Sequence, residues 1–135
     1  MAAPNTFFRG ERGSAAAEFA LVAPMFFALA FAVINMSAML FAYADLHWAT
    51  QDAARCYAVR TTVCSDNTTT QTYAGNRYVG PGIGASFTAG TAGQCHKSGT
   101  TGLYDGHTVA GSGNYTINVV VTSVSVPLAS AACFP

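Results

Sequence analysis

Residues 19–44 contain no Asp, Glu, Lys, Arg or His, a charge-free run of 26 residues. As a helix rising about 1.5 Å per residue it covers roughly 39 Å, enough to cross a hydrocarbon core of about 30 Å with some tilt. Ala15, Ala16 and Ala17 lead into the run, and the Leu, Ala, Phe and Met that fill it sustain a helix. Pro24 removes one hydrogen bond in the third turn, which predicts a local kink or a melted turn. Asn35 and Ser37 are the clearly polar side chains deep in the run. They serve either a neighbouring helix or their own backbone carbonyls.

Composition agrees with this reading. The 135 residues allow one ordinary domain plus an appendage, and 51% are hydrophobic while 9% are charged. A soluble globular domain carries roughly 25% charged residues, so the balance points to a membrane-linked or assembled protein. The formal net charge is zero and the basic residues are Arg9, Arg12, Arg55, Arg60, Arg77 and Lys97. With no basic stripe, nucleic acid is not an expected partner.

Beyond Ala44 the pattern turns one-sided. Leu46, Ala49, Ala53, Tyr57 and Arg60 recur at spacings of three and four, with Asp45, Gln51, Asp52 and Arg55 opposite. The apolar stripe is narrow and rich in alanine, suited to close packing against a helix or a sheet. The whole then reads as one helix of about 45 residues, roughly 70 Å long.

Residues 61–135 hold 11 of the 13 glycines and all but one of the four cysteines, Cys56, Cys64, Cys95 and Cys133. An even count beyond the apolar run fits an oxidising compartment and one or two disulfides, with three pairings possible. The Thr-rich residues 61–72 read as loop, and residues 75–113 are interrupted by glycine. The best strand signal is GNYTINVVVTSVSVP: Tyr115, Ile117, Val119 and Val121 alternate, then Val120, Thr122, Val124 and Val126 take the other phase. The slip near Thr122 and Ser123 predicts a bulge or a turn between two strands. The fold expected is α+β, a long N-terminal helix whose distal half packs on a small, loop-rich antiparallel β head. So small a head has a thin core that disulfides would stiffen.

Chemistry-bearing constellations are weak. Cys64, Cys95, His96 and His107 lack the paired spacing of a zinc site and read as disulfide cysteines and loop histidines. Gly80, Gly82 and Ala85 imitate a dinucleotide fingerprint without the strand before or the helix after it, so they read as a glycine loop. No catalytic triad or dyad follows from spacing, and Asp45 and His47 read as solvated. No enzyme, cofactor or metal site is expected.

Three readings of the apolar run compete. Ala42, Tyr43 and Ala44 form an A-x-A site, so a secreted disulfide-containing binding module could be released after Ala44, although an h-region normally has about 7 to 15 residues. A plain signal anchor, held by Arg9 and Arg12 through the positive-inside rule, explains the span and leaves Glu18 without a purpose. The third reading begins at Gly13, followed at the fifth position by Glu18 and at the sixth by Phe19.

That spacing resembles the prepilin-peptidase site of type IVb (Flp) pilins. The longer string GSAAAEFALVAP is similar to the N-terminal signature of TadE-like proteins, the minor pseudopilins of the tight-adherence pilus. Arg12, Gly13, Ala16, Glu18, Phe19, Ala20, Leu21, Val22 and Pro24 carry the resemblance, which extends to about residue 60. Ser14 in place of Phe after the glycine departs from type IVa pilins and type II secretion pseudopilins, and the chain is too short for the von Willebrand-like region of TadG-type proteins. Nothing in it separates TadE from TadF.

The resemblance implies residues 1–13 as leader, 14–44 as transmembrane helix, 45–60 as its amphipathic continuation and 61–135 as a periplasmic β/loop head. It implies a cut between Gly13 and Ser14, recognised through Glu18 and Phe19, and Glu18 and Pro24 as assembly residues. The new α-amine, with an ordinary pKa of about 8, would be mostly protonated at neutral pH. The implied partners are prepilin peptidase, other pilins or pseudopilins, the assembly platform and membrane lipid. The implied location is the bacterial inner membrane, single-pass, with the N-terminus cytoplasmic, and from there extraction into a pilus.

Overall fold

A computed structural model describes residues 11–96, 103–119 and 122–135. The expected leader lies outside the described residues as far as Gly10, and so do Lys97, Val120 and Val121. The chain divides into two compact units, one ending at Ser37 and the other comprising Ala38–Pro135. Its elements are helix α1 (Glu11–Val59), helix α2 (Asn67–Arg77), and strands β1 (Ser86–His96), β2 (Leu103–Val119) and β3 (Thr122–Phe134). This is the α+β arrangement the sequence predicts.

In the first unit the described residues are helical. The helix runs through Pro24 without a break, so the melted turn expected there does not form. Proline's fixed φ is already close to the helical value, which confines the damage to one missing hydrogen bond and the crowding beside it. Asn35 Nδ2 donates to Phe31 O at 2.8 Å and Ser37 Oγ to Ile34 O at 2.8 Å. Both polar side chains in the run are thus satisfied by their own backbone.

The second unit is a three-stranded antiparallel sheet, order β1-β2-β3, with helices packed on it. Of the predicted stripe of α1, Leu46 and Ala53 are fully buried and Ala49 nearly so, joined by Ala42, Thr50 and Ala54, whereas Tyr57 is half-buried and Arg60 is exposed and lies beyond the end of the helix. Two clusters form the core, one of Ala42, Leu46, Ile83 and Leu128, the other of Ala53, Ala54, Ala74 and Val109. Small residues make the fit on both sides, alanine on the helix and glycine on the sheet. A Cβ on Gly111 would come within 2.8 Å of Thr50 Cγ2 and 3.0 Å of Leu46 Cδ1.

The alternating stretch ends β2 and begins β3. Val119 pairs with Thr122, so the slip of phase falls where one strand gives way to the next, with no register shift along the pair. The reading of residues 61–72 as loop is corrected from Asn67 onward, where α2 begins. Asp66 caps it: Thr69 N–H donates to Asp66 Oδ1 at 2.8 Å and the Asp66 N–H to Thr69 Oγ1 at 3.1 Å. This reciprocal cap and the burial of Thr70 and Ala74 outweigh the poor helix propensity of threonine. The glycine-interrupted region is likewise mostly strand.

Candidate functional site

The N-terminal candidates all lie on the first unit's helix. Gly13 and Ser14 fall within its opening turns and Glu18 follows one turn after Ser14. Glu18 is exposed, and the apolar residues after it are exposed too: Phe19, Leu21, Val22, Met25, Phe26, Leu29 and Phe31 each by more than half. A helix apolar all round with no protein covering it demands an apolar environment. From Ala15 to Val59 it is long and apolar enough to cross a membrane. Phe26 and Phe27 meet edge to face, with ring centroids 5.7 Å apart. Pro24 is exposed within the same stretch.

At the helix–sheet junction two expectations are overturned. Asp45, read as solvated, accepts the N–H groups of Val79 and Gly80 through Oδ2, both at 2.7 Å. The loop after α2 is thereby pinned to α1, and its carboxylate replaces the partners those N–H groups lack beyond the helix end. His47, also read as solvated, is half-buried, with Nδ1 2.9 Å from Ser130 Oγ on β3 and Nε2 2.8 Å from Gln51 Nε2. Apart from Gln51, their partners lie more than 30 residues away, so local pattern could not reveal them.

Further polar links fix α2 to α1. Arg77 Nε lies 3.0 Å from Asp52 Oδ2, and Tyr73 donates its hydroxyl to the same oxygen at 2.9 Å. Hydrogen bonds from Arg77 to the Tyr73 hydroxyl, aided by Asp52, raise the guanidinium pKa above its ordinary value. Burial, with the nearby Asp45 charge, raises that of the Tyr78 hydroxyl, which donates to Pro81 O at 2.6 Å. Trp48, Arg55, Arg77 and Phe134 wall an open groove of about 610 Å³. It brings together no nucleophile with a base.

The cysteines pair as Cys56–Cys64 and Cys95–Cys133. Cys64 and Cys95 are therefore joined as covalent links, and His96 and His107, expected in loops, lie on β1 and β2. Among the described residues no three His, Cys, Asp or Glu side chains converge on a common point. Residues 80–85 form the glycine loop the sequence predicts, leading into β1, with Gly84 at φ +60°.

The first unit is thus an exposed apolar helix bearing Glu18, and the second is a head closed by its own contacts. Comparison with known families adds one finding: the family described as TadE-like protein matches residues 13–55. This segment resembles that family. The match is consistent with a TadE-like protein of the Tad pilus system, and it covers about a third of the chain, opening on Gly13. The matched segment includes the apolar run and the stripe of α1 through Ala54, and it stops before the first disulfide and the sheet. No curated protein and no solved structure matches the chain.

Proposed function

We propose that this chain is a minor pseudopilin of a Flp/Tad-type pilus. A prepilin peptidase cuts it between Gly13 and Ser14, and it contributes to pilus assembly or priming by packing its apolar helix against other pilins. The carrying observation is that the family match opens on Gly13, the residue before the expected cut, with Glu18 on an uncovered apolar helix. The head lies on the periplasmic side of the inner membrane, where two disulfides are at home. The chain's role is to be processed and to pack, the chemistry of cleavage belonging to the peptidase.

Glu18 then has a purpose. Cleavage leaves an α-amine at Ser14 that is mostly protonated at neutral pH, with a carboxylate four residues on. A carboxylate unpaired in the bilayer costs about 2.5–3.5 kcal/mol at the centre and less near the interface, so pairing with a neighbour's amine favours docking in one register.

Against release after Ala44 stands the burial of Ala42. It is fully buried beside Leu46, Ile83 and Leu128, with Met39 packed on the same cluster. A cut after Ala44 would strip both from the head's core.

The deciding measurement is the N-terminus of the chain recovered from membranes, by intact mass. A start at Ser14 is the expected result. A start at Asp45 would replace the pseudopilin with a secreted module, and an uncut chain would leave a plain anchor.

A further inference from the structure

The charge-free run ends at Ala44, and its last residues, 38–44, belong to the same compact unit as the sheet. Helix and sheet can therefore be matched level by level within one body. Val109 clusters with Ala53 and Ala54. Gly111 faces Thr50 and Leu46. Tyr115 and Val126 pack with Met39 on the cluster that holds Ala42. Progress along β2 is thus progress along α1 toward its apolar end, and Tyr115 already stands at the level where that run finishes.

The strands do not stop there. β1 begins opposite Ser112, so beyond it the sheet narrows to a ribbon of β2 and β3, paired through Ile117 with Val124 and ending at Val119 with Thr122. At about 3.4 Å per residue that end lies roughly 14 Å past Tyr115 along the ribbon. Strand alternation gives the ribbon two unlike faces. Tyr115, Ile117, Val124 and Val126 share one, and Asn114, Thr116, Ser125 and Pro127 share the other. Val124 is 52% exposed.

A second observation is independent of these levels. Residues 106–135 contain no Asp, Glu, Lys or Arg, although β3 is an edge strand of 13 residues. Edge strands in water are ordinarily guarded by charges, and a two-stranded ribbon alone is marginal there. Pro127 is the one conventional guard in β3. Lack of charge is what a lipid surface requires, since ionised side chains are the costliest groups to bring to it.

We propose that the end of the β2–β3 ribbon is a lipid-contacting element, its Ile117 and Val124 face set into the headgroup–acyl boundary of the leaflet on the head's side. The inference rests on the reading of α1 as a membrane span. Unpaired ribbon edges exclude the hydrocarbon interior, where no water can satisfy them, and hold the element at the boundary. Tyr43 and Trp48, 45% and 69% exposed, flank Ala44 and mark the same level, since aromatic rings collect at the headgroups.

The test uses the full chain in phosphatidylethanolamine–phosphatidylglycerol vesicles whose acyl chains carry bromine, with Trp48→Phe as background. Single reporters are introduced as Val124→Trp, Thr122→Trp on the same face, Ser125→Trp on the other, and Phe31→Trp in the helix. The expected result is blue-shifted, quenched emission from Val124→Trp and Thr122→Trp, with weaker quenching of Ser125→Trp. If Phe31→Trp is quenched and the two ribbon reporters are no more quenched than Ser125→Trp, the ribbon inference fails and the span stands. If Phe31→Trp itself escapes quenching, the spanning reading fails and carries the inference with it. A blue shift at Val124→Trp that bromine leaves untouched and dilution in lipid abolishes assigns the face to a second copy and overturns the proposal.

Discussion

His47 Nδ1 stands 2.9 Å from Ser130 Oγ, joining α1 to β3 across 83 positions of the chain. Thr50 donates to the His47 carbonyl at 2.8 Å and lies 3.0 Å from the same serine oxygen. With Gln51 donating to Nε2, one proton assignment satisfies all four groups: Nδ1–H donates to Ser130, Ser130 to Thr50, and Thr50 to the His47 carbonyl. Thr50 is fully buried, so breaking the chain leaves polar groups short of partners. Ser130→Ala is expected to cost about 1–2 kcal/mol. A double-mutant cycle with Thr50→Val in denaturant unfolding should show the pair costing less than the sum of the singles. Strict additivity would mean the two hydroxyls do not act together.

Gly111 lies where the sheet makes room for side chains of α1. A methyl there would fall 2.8 Å from Thr50 Cγ2, 2.9 Å from Phe87 Cε1 and 3.0 Å from Leu46 Cδ1. Gly111→Ala is therefore expected to destabilise by about 1–3 kcal/mol through overpacking. Gly82→Ala, where the new methyl would meet nothing within 4 Å, is the matched control and should leave the unfolding midpoint nearly unchanged.

The two disulfides should contribute unequally. Cys56–Cys64 spans 8 positions and joins the end of α1 to the turn after it, while Cys95–Cys133 spans 38 and links β1 to β3. Constraint of the unfolded chain gives about 2.5 kcal/mol for the short loop and about 4 kcal/mol for the long one. Replacing each pair by serines and comparing unfolding midpoints should show the larger loss at Cys95–Cys133. The reverse order would place the short bridge's effect in the folded state.

These interactions explain what could be read from sequence and what could not. The buried face of α1 was legible because Leu46, Ala49 and Ala53 repeat at helical spacing. The ribbon was legible because Tyr115, Ile117, Val124 and Val126 alternate at strand spacing. The first half of the sheet was not, because glycines there answer to distant partners. Gly111 makes room for Leu46, and a Cβ on Gly106 would lie 2.6 Å from Cys95 Sγ. Helix α2 was hidden by its threonines, although Asp66 followed by Thr69 was a local sign of a helix start. Asp45 and His47 were misread because only the fold brings Val79, Gly80 and Ser130 to them. Glu18 stands out without any distant partner, by its position before a charge-free run.

The Asp66 cap makes α2 sensitive to acid. Hydrogen bonding from the Thr69 backbone holds the Asp66 carboxyl below its ordinary value of 3.8. A folded-state pKa below the unfolded one means that the ionised cap stabilises the helix above the ordinary value and that this contribution is lost as pH falls through the lowered one. Amide protection in residues 67–77 should therefore weaken at the acid end of a titration below the ordinary carboxylate range. Asp66→Asn retains a good capping side chain without the charge, so it should keep α2 at neutral pH and remove the acid dependence. An unchanged acid profile in that variant would assign the effect to another carboxylate.

Glu18 can serve the peptidase, the assembling helices, or both, and its two properties can be separated. Glu18→Gln keeps the length and most of the hydrogen-bonding capacity of the side chain and removes its charge. Glu18→Leu removes both, and neither should impair insertion, since the run that follows has no other charge to lose. If the carboxylate pairs with a neighbour's Ser14 amine, Glu18→Gln is expected to yield chains that begin at Ser14 yet support markedly fewer pili. If recognition by the peptidase needs the charge, the same variant keeps its leader, and intact mass of the membrane fraction reports it directly. Normal processing and normal piliation in both variants would remove Glu18 from the mechanism and leave it as a residue that reaches the headgroups.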